Sequence, residues 1–260
     1  MDNLNSLQLR EIFHIEFLRR LARKVKPDYY AVKGGVNLRF FFKSFRYSED
    51  MDLDARSITT LRLREAVLKV LVEGAFRDNL RSFGIMRVLT PDMSRAKQTE
   101  TTQRFKIHLI SSTGEDLFTK IEFSRRGFAG NVVIETIDDA VLRAYKMAPL
   151  LVPHYDSASA ITQKLRALAA RKVIQARDIF DLYILTSQSP AGNRRFNNIK
   201  SGELSKACER IFEVRFEQFR DTVVSYLSDE DQAVYDNPGS WEEIQLKVSR
   251  FIEESRKFHA

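Results

Sequence analysis

The sequence predicts an α/β core, with a mixed sheet and flanking helices, followed by an all-helical C-terminal domain. In the first part of the chain, helical patterns of apolar residues alternate with short strand-like runs. From about residue 157 onward, the apolar patterns are helical. A chain of 260 residues is long enough for one large or two modest domains. We therefore expect one domain at 1–156 and a second at 157–260.

The N-terminal elements follow from apolar periodicity and from helix-breaking residues. Apolar residues recur at helical spacing over residues 7–25, and Pro27 ends this helix. Residues 29–32 are predicted to form a short buried strand. The pair Gly34-Gly35 then forms a turn, and the apolar stretch 38–42 begins a second helix.

Later segments of the first part predict a helix, a hairpin and an edge strand. Residues 61–80 have a helical pattern. Residues 104–110 and 117–124 read as two strands around a polar turn at 111–116, and a hairpin is the simplest connection. Residues 147–155 contain two prolines, and proline cannot donate to a central sheet ladder. This segment is therefore predicted to be an edge strand or an extended connection.

The composition is typical of a folded protein that binds polyanions. Hydrophobic residues make up 43% and charged residues 30%, which excludes a disordered or collagen-like chain. The formal net charge of +7 favours nucleic acid or nucleotide phosphates as partners. With Cys208 as the only cysteine, an intramolecular disulfide is excluded. No apolar run reaches 18 residues and no signal-peptide pattern is found, so we expect a cytoplasmic protein without membrane contact.

An acidic strand follows the glycine turn. Met51 and Leu53 alternate with Asp50, Asp52 and Asp54, which predicts a strand with the acidic side chains on one face. Two such carboxylates can hold a divalent cation, and Mg²⁺ prefers carboxylate and phosphate oxygens. Glycine at a helix start lets backbone N–H groups approach phosphate closely. Either feature alone is more often structural, but the two in this order favour phosphoryl or nucleotidyl transfer.

This combination resembles the signature of the nucleotidyltransferase superfamily, a glycine pair followed after a helix by an acidic-hydrophobic-acidic strand. The strings Lys33-Gly34-Gly35 and Arg46-Tyr47-Ser48-Glu49-Asp50-Met51-Asp52-Leu53 resemble, more narrowly, the AbiEii/AbiGii toxin family. This family comprises the toxin halves of bacterial toxin–antitoxin and phage-abortive systems. The resemblance implies an α/β nucleotidyltransferase core, an NTP substrate and a separately encoded antitoxin. For some relatives it implies transfer of nucleotides to tRNA.

The resemblance also implies roles for particular residues of the first domain. Asp50 and Asp52 are expected to bind Mg²⁺, and the family has a third acidic residue on a later strand. Glu122, in the alternating segment 118–124, is the candidate for this third catalytic ligand. The alternative is an exposed glutamate paired with Lys120 or Arg125.

Nucleotide binding is expected at the glycine turn and beside the acidic strand. The resemblance implies that Lys33, Gly34, Gly35 and Ser48 bind the NTP. The family commonly has Ser or Thr after the glycine pair, whereas this chain has Val36 followed by Asn37. Either Asn37 compensates, or backbone and lysine alone hold the phosphate.

A second signature lies in the helical part, where residues 163–168 and 177–183 resemble the family's Lys-Leu-x-Ala and Arg-Asp-x-x-Asp motifs. Lys164, Arg171 and Asp178 are seven residues apart in turn, so they share one face if the helix is continuous. Asp181 lies one turn beyond Asp178, on nearly the same face. The resemblance implies catalytic roles for Lys164 and Asp181 and nucleotide binding by Arg171 and Asp178, in a cleft shared with the first domain.

The alternative for this segment is a solvated helix face. An internal pair between Arg177 and Asp181 would stabilise it. Between residues 164 and 177 there are five basic residues and no acidic one. Such a face also attracts an NTP or an RNA backbone, which makes Arg166, Arg171, Lys172 and Arg177 candidates for RNA contacts.

We expect a magnesium-dependent nucleotidyltransferase toxin that transfers a nucleotide from an NTP to RNA, with tRNA as the expected acceptor, and releases pyrophosphate. A small-molecule nucleotidyltransferase would use the same metal site but would need an acidic acceptor pocket. A metal-dependent nuclease could use the same three carboxylates, although Ser124 stands where the E-x-K pattern of a nuclease has lysine. The last alternative is an inactive nucleotide- or RNA-binding regulator.

Overall fold

The computed structural model describes residues 4–93, 96–188 and 199–257. The described residues up to Phe41, together with Tyr47–Tyr155, form one compact unit, here called the α/β unit. Phe42–Arg46 and the described residues from Asp156 onward form a second, the helical unit. The inclusion of Phe42–Arg46 in the helical unit is not visible in the sequence pattern.

In the described part of the α/β unit, seven strands form one mixed sheet. The strands are β1 (Tyr30–Lys33), β2 (Met51–Ala55), β3 (Ile85–Leu89), β4 (Thr102–Ser111), β5 (Asp116–Ser124), β6 (Val132–Thr136) and β7 (Leu151–Tyr155). Their order across the sheet is β3-β4-β5-β2-β1-β7-β6. The pairs β2–β5 and β1–β7 are parallel, and the other pairs are antiparallel. The predicted mixed sheet is confirmed, and so is the hairpin, which consists of β4 and β5.

One predicted strand position is wrong. The strand β7 lies between β1 and β6, so it is neither at the sheet edge nor a mere connection. Its parallel register with β1 is at His154, one residue beyond Pro153, while Pro153 lies opposite Ile134 of β6. Proline lacks a backbone N–H. It is tolerated here because the pairing of β7 with β1 is short and its register pair, Val32 with His154, does not include Pro153.

Five helices accompany the sheet in the described residues of this unit. They are α1 (Ser6–Leu21), α2 (Gly34–Phe41), α3 (Thr60–Val72), α4 (Gly74–Ser82) and α5 (Asp139–Ala144). The predicted helix at 61–80 is two helices, because Glu73 has an extended backbone that ends α3. The helix α1 packs on α3, α4 and β5 and buries aromatic side chains such as Phe13 and Phe17. The apolar face of the sheet and these helices form the core.

The helical unit contains six described α-helices. They are α6 (Ser157–Ala170), α7 (Ala176–Ser187), α8 (Ser201–Arg210), α9 (Phe216–Thr222), α10 (Asp229–Tyr235) and α11 (Pro238–Arg256). The N-cap of α6 is Asp156, which accepts a hydrogen bond from the Ser159 N–H. The predicted all-helical C-terminal region is confirmed. None of the helices in the described ranges is long and apolar enough to cross a membrane.

Candidate active site

A row of charged side chains crosses one face of the sheet. Lys33 of β1 is in register with Asp52 of β2, and Asp52 is in register with Glu122 of β5. Glu122 is in turn opposite Arg104 of β4. Residues paired in this way project from the same face of a sheet. The two predicted metal ligands Asp52 and Glu122 are therefore direct neighbours on parallel strands.

Asp52 differs from the other members of this row. Among the described residues, no hydrogen bond or ion pair involves its carboxylate. Burial raises the pKa of Asp52 above its ordinary value, and the nearby carboxylates of Glu122 and Asp50 raise it further. The charges of Lys120 and Lys33 oppose this shift without cancelling it. Asp52 is thus a largely buried acid whose ionised form lacks a direct partner.

The glycine pair lies against this carboxylate. The backbone of Gly34 has φ +67°, and a Cβ atom there would lie 3.4 Å from Oδ2 of Asp52. The helix α2 begins at Gly34, so the pair is its first turn, and the predicted start near residue 38 is wrong. The first N–H groups of a helix have no partner within it and bind anions. The backbone groups predicted to bind phosphate therefore lie next to a carboxylate that is predicted to bind metal.

The segment Glu49-Asp50, just before β2, is held by three contacts. The Asp50 carboxylate lies 2.9 Å from Nζ of Lys120, and the Asp50 backbone oxygen accepts a 2.8 Å hydrogen bond from the Ser48 hydroxyl. The Thr119 hydroxyl donates to the preceding carbonyl, that of Glu49, at 2.7 Å. Ser48 thus acts on the backbone of the segment that carries Asp50.

A buried histidine completes this support. Nε2 of His14 lies 2.9 Å from the Thr119 hydroxyl oxygen. Since the Thr119 proton goes to the Glu49 carbonyl, Nε2 of His14 must be the donor. Burial lowers the pKa of His14 to about 4, with Asp50 acting against this shift and Arg10 adding to it. His14 is therefore neutral at neutral pH and orients Thr119.

Glu122 is paired with a different cation from the two expected. Its Oε2 lies 2.6 Å from Nε of Arg104, on the neighbouring strand. Of the two expected partners, Lys120 forms an ion pair with Asp50, and Arg125 lies 4.0 Å from Glu100. Glu122 is only partly exposed, so it is not a freely solvated glutamate.

The three carboxylates fit Mg²⁺ in donor chemistry, but as they stand they are not close enough to one another to hold the ion together. Asp52 and Glu122 are in register on adjacent strands, Asp50 is two residues from Asp52, and all donors are oxygen. Two of the three carboxylates form ion pairs: Asp50 with Lys120 and Glu122 with Arg104. Accordingly, no group of three or more His, Cys, Asp or Glu side chains among the described residues is close enough to hold a metal ion as they stand.

Lys33 is engaged in a buried network beside the row. Its Nζ lies 2.6 Å from Oδ1 of Asp54, and Oδ2 of Asp54 accepts a 2.6 Å hydrogen bond from the Tyr155 hydroxyl. The backbone N–H of Ala129 donates to the same hydroxyl oxygen. Burial and the hydrogen bond to Asp54 raise the pKa of Tyr155, so it stays a neutral donor. Asp54, the second acid of β2, therefore fixes the lysine at the glycine turn.

Asn37 does not replace the missing hydroxyl. Its side chain is buried, donates to the Tyr155 carbonyl at 3.0 Å, and places Oδ1 2.9 Å from Nδ1 of His154. These bonds join α2 to β7. Of the two alternatives for phosphate binding, the one that relies on backbone and lysine fits this arrangement.

In the helical unit, the predicted continuous helix is interrupted. The helix α6 ends at Ala170, Arg171 has an extended backbone, and α7 begins at Ala176. The seven-residue spacing therefore does not place the predicted residues on one helix face. They come together because α6 and α7 pack against each other.

The motif residues of the two helices form a buried ion network. Nζ of Lys164 lies 2.9 Å from Oδ1 of Asp178 and 2.5 Å from Oδ2 of Asp181. Nε of Arg171 lies 3.2 Å from Oδ2 of Asp178. Both aspartates are almost fully buried, so their charges are compensated inside the unit.

Arg46 is a member of this network that sequence analysis missed. It is 6% exposed, and its Nη2 lies 3.0 and 3.2 Å from the two carboxylate oxygens of Asp181. Arg177, the expected partner of Asp181, is exposed instead. Neighbouring Phe45 packs on Phe180 and Tyr235, so the short segment is anchored by rings as well as by charge.

The electrostatics of the network are opposite to those of the acidic row. Burial alone would raise the pKa of Asp181, but Arg46 and Lys164 lower it below its ordinary value. Burial alone would likewise lower the pKa of Lys164, but Asp181 and Asp178 raise it. Both groups are therefore charged at neutral pH.

Known proteins give independent support for the fold. A family model described as nucleotidyl transferase AbiEii toxin, type IV TA system, matches residues 16–255. JHP933 from Helicobacter pylori is 18% identical, over 98% of this chain and 94% of that one, with a TM-score of 0.59. MenT4, a nucleotidyltransferase toxin from Mycobacterium tuberculosis, is also 18% identical, over 98% and 88% of the chains, with a TM-score of 0.58. No curated protein sequence matches the chain.

Proposed function

Because the chain belongs to the AbiEii nucleotidyl transferase toxin family, as its glycine pair and acidic strand predicted, we propose that it transfers a nucleotide from an NTP to RNA in a Mg²⁺-dependent reaction. The family makes the chain a nucleotidyltransferase toxin with an NTP substrate and an antitoxin as counterpart. Our proposal adds the metal, tRNA as the acceptor, and the cytoplasm as the compartment in which NTPs and tRNA meet.

One observation carries the proposal. Asp52, largely buried and without a direct partner among the described residues, lies between the first turn of α2 and Glu122. Asp50, Asp52 and Glu122 would hold Mg²⁺, and the bound ion would neutralise charge on the reacting phosphates. To serve as ligands, Asp50 and Glu122 would have to give up their ion pairs with Lys120 and Arg104.

The groups around the glycine turn are suited to holding the triphosphate. Gly34 and Gly35 offer backbone N–H groups and leave room beside Asp52. Lys33 adds a positive charge that Asp54 keeps in place. Ser48 acts through the backbone of Asp50. The acceptor hydroxyl attacks the α-phosphorus in line, so one P–O bond forms and the bond to pyrophosphate breaks.

The helical motifs are supported in a different role. The prediction that Lys164 and Asp181 act directly in catalysis, with Arg171 and Asp178 binding the nucleotide, stays a prediction. Their described contacts are with one another and with Arg46, and Asp181 is 0% exposed. These contacts favour a structural role, in which the network stabilises the helical unit.

The test is an incubation of the purified protein with each NTP labelled at the α-phosphate, Mg²⁺ and total RNA. We expect label in an RNA of tRNA size, lost on addition of EDTA and in Asp52→Asn. The matched control Asp78→Asn, at an exposed position on α4, keeps full activity. Label confined to small molecules would support the small-molecule transferase, and shortened RNA without label would support the nuclease. Binding without turnover would support the inactive regulator.

A further inference from the structure

The sheet face that carries the acidic row continues into an exposed aromatic pair. Beyond Arg104 and Glu122, the next opposed pair on β4 and β5 is Lys106 and Lys120, followed by His108 and Phe118. The rings of His108 and Phe118 are stacked, with centroids 4.6 Å apart and planes at 23°. Phe118 is 58% exposed. At about 3.3 Å per residue, this pair lies roughly 13 Å along the strand from Glu122.

A groove leads from the aromatic pair to Asp50, one of the three candidate metal ligands. It has a volume of about 520 Å³, and its lining includes Phe118, His108, Lys106, Lys120 and Asp50. This volume is within the range of about 300–1,000 Å³ that is typical of ligand sites. The groove therefore offers an acceptor a direct path to Asp50.

Among the described residues, one lysine of the groove lining and one arginine next to it have no carboxylate partner. Lys106 is exposed and has no hydrogen bond or ion pair among the described residues. Arg10 donates to the Phe118 carbonyl at 2.9 Å and has no carboxylate partner within the described ranges. Lys120 and His108 are paired instead.

Three carboxylates face or flank the groove. Asp50 is paired with Lys120, and Asp116 with His108. The third, Glu49, lines the wall next to Asp50. The carboxylates thus lie at the Asp50 end of the groove and near the β4–β5 turn. Lys106 lies between these two positions and is available to bind an anion.

We propose that this groove, with Phe118 and Lys106 as its principal contacts, binds the single-stranded end of the acceptor RNA. A nucleobase stacks on Phe118, and a backbone phosphate contacts Lys106. Aromatic rings next to cations bind single strands because every base has a π-face and every linkage has a charge. The proposal rests on the proposed function, since it names where the RNA acceptor of that reaction is held.

Equilibrium binding of a fluorescein-labelled single-stranded RNA oligonucleotide, without NTP and at several salt concentrations, tests the groove. Phe118→Ala is expected to weaken binding about 5- to 100-fold. Lys106→Ala is expected to flatten the log–log salt slope by about 0.7. The controls are Phe212→Ala, an equally exposed phenylalanine in the helical unit, and Lys69→Ala, an exposed lysine on α3. Both controls should bind RNA like the wild type.

Two further variants separate stacking from mere apolar contact. Phe118→Trp should bind at least as tightly as the wild type, and Phe118→Leu should bind as weakly as Phe118→Ala. Equal binding by the leucine variant and the wild type would overturn the stacking role. An unchanged salt slope in Lys106→Ala would overturn the phosphate contact.

The outcome for the groove is separable from the outcome for the reaction. If the wild type labels RNA from an NTP but both groove variants bind the oligonucleotide normally, the groove proposal is wrong and the proposed function stands. If the wild type labels no RNA, the proposed function is wrong, and the acceptor role of the groove is wrong with it.

Discussion

Asp52 in the α/β unit and Asp181 in the helical unit are both buried aspartates, yet their pKa values are shifted in opposite directions. Burial raises the pKa of Asp52, and the charges near it include two more carboxylates. Asp181 is even more completely buried, but direct bonds from Arg46 and Lys164 lower its pKa. The comparison teaches that direct partners, and not burial, separate an acid available to a ligand from an acid used by the fold.

The two shifts have opposite consequences for stability. A folded-state pKa that is raised means that ionisation of Asp52 costs folding free energy as the pH rises through it. A lowered folded-state pKa means that Asp181 stabilises the fold above its unfolded pKa, and that this contribution is lost as the pH falls through the folded value. An acid such as Asp52, which is present although its ionisation lowers the stability of the fold, is typical of a functional position.

The largest expected effect is on activity in Asp52→Asn. Removing the charge at an isosteric position should abolish nucleotide transfer and any growth inhibition, and Asp50→Asn should do the same. Because the asparagine no longer needs to ionise in a buried place, the melting temperature of Asp52→Asn should not fall. Transfer assays check the predicted loss of activity, and thermal unfolding checks the predicted melting temperature. Full activity in both variants would show that the proposed site is wrong.

Asp181→Asn should instead act on stability. Leaving Arg46 and Lys164 without their buried counter-charge is expected to cost about 3–5 kcal/mol in the free energy of unfolding. Denaturant unfolding followed by far-UV circular dichroism measures this loss. If the variant were as stable as the wild type but inactive, Asp181 would belong to the catalytic machinery, as its motif alone predicted.

His14 gives a pH dependence that extends the comparison to a base. Its folded pKa of about 4 lies below the ordinary value of 6.5, so the unfolded chain binds more protons in this window. Stability should therefore fall by up to about 3 kcal/mol as the pH drops from 6.5 to 4. Unfolding curves over this range should be flatter for His14→Gln, which keeps a donor for Thr119 but does not titrate. An equally steep decline in the variant would assign the effect to other groups.

The smallest effect concerns the space beside Asp52. Gly34→Ala places a methyl group 3.4 Å from Oδ2 of Asp52 and forces a side chain to adopt φ +67°. We expect a loss of about 1 kcal/mol in stability and a raised KM for NTP. Gly202→Ala, in α8 with no neighbouring atom within 4 Å, is the matched control and should be neutral or stabilising. An unchanged KM for Gly34→Ala would place the phosphates elsewhere.

The sequence predicted the parts of the site that depend on local order. Gly34, Asp50 and Asp52 lie within one strand–helix–strand segment, and their alternation is visible without a structure. The neighbour relation of Asp52 and Glu122 needs the parallel pairing of β2 with β5, which only the family resemblance suggested.

The rest could not be predicted because it depends on packing between distant segments. Arg46 and Asp181 are 135 residues apart, and no spacing rule connects them. His14 lies among the apolar residues of the predicted first helix, and this position indicates that the histidine is buried. It does not indicate that the partner is Thr119, 105 residues further along the chain. The position of β7 inside the sheet was missed because its prolines, read alone, indicate an edge.

The most direct test compares label transferred from an NTP to RNA by Asp52→Asn and Asp181→Asn, each divided by the fraction of molecules folded under the assay conditions. We predict that Asp52→Asn is fully folded and transfers nothing, whereas Asp181→Asn transfers in proportion to its folded fraction. Transfer by folded Asp52→Asn would contradict the assignment of the chemistry to the carboxylates around Asp52. A lack of transfer by folded Asp181→Asn would contradict the assignment of a stabilising role to the ion network around Asp181.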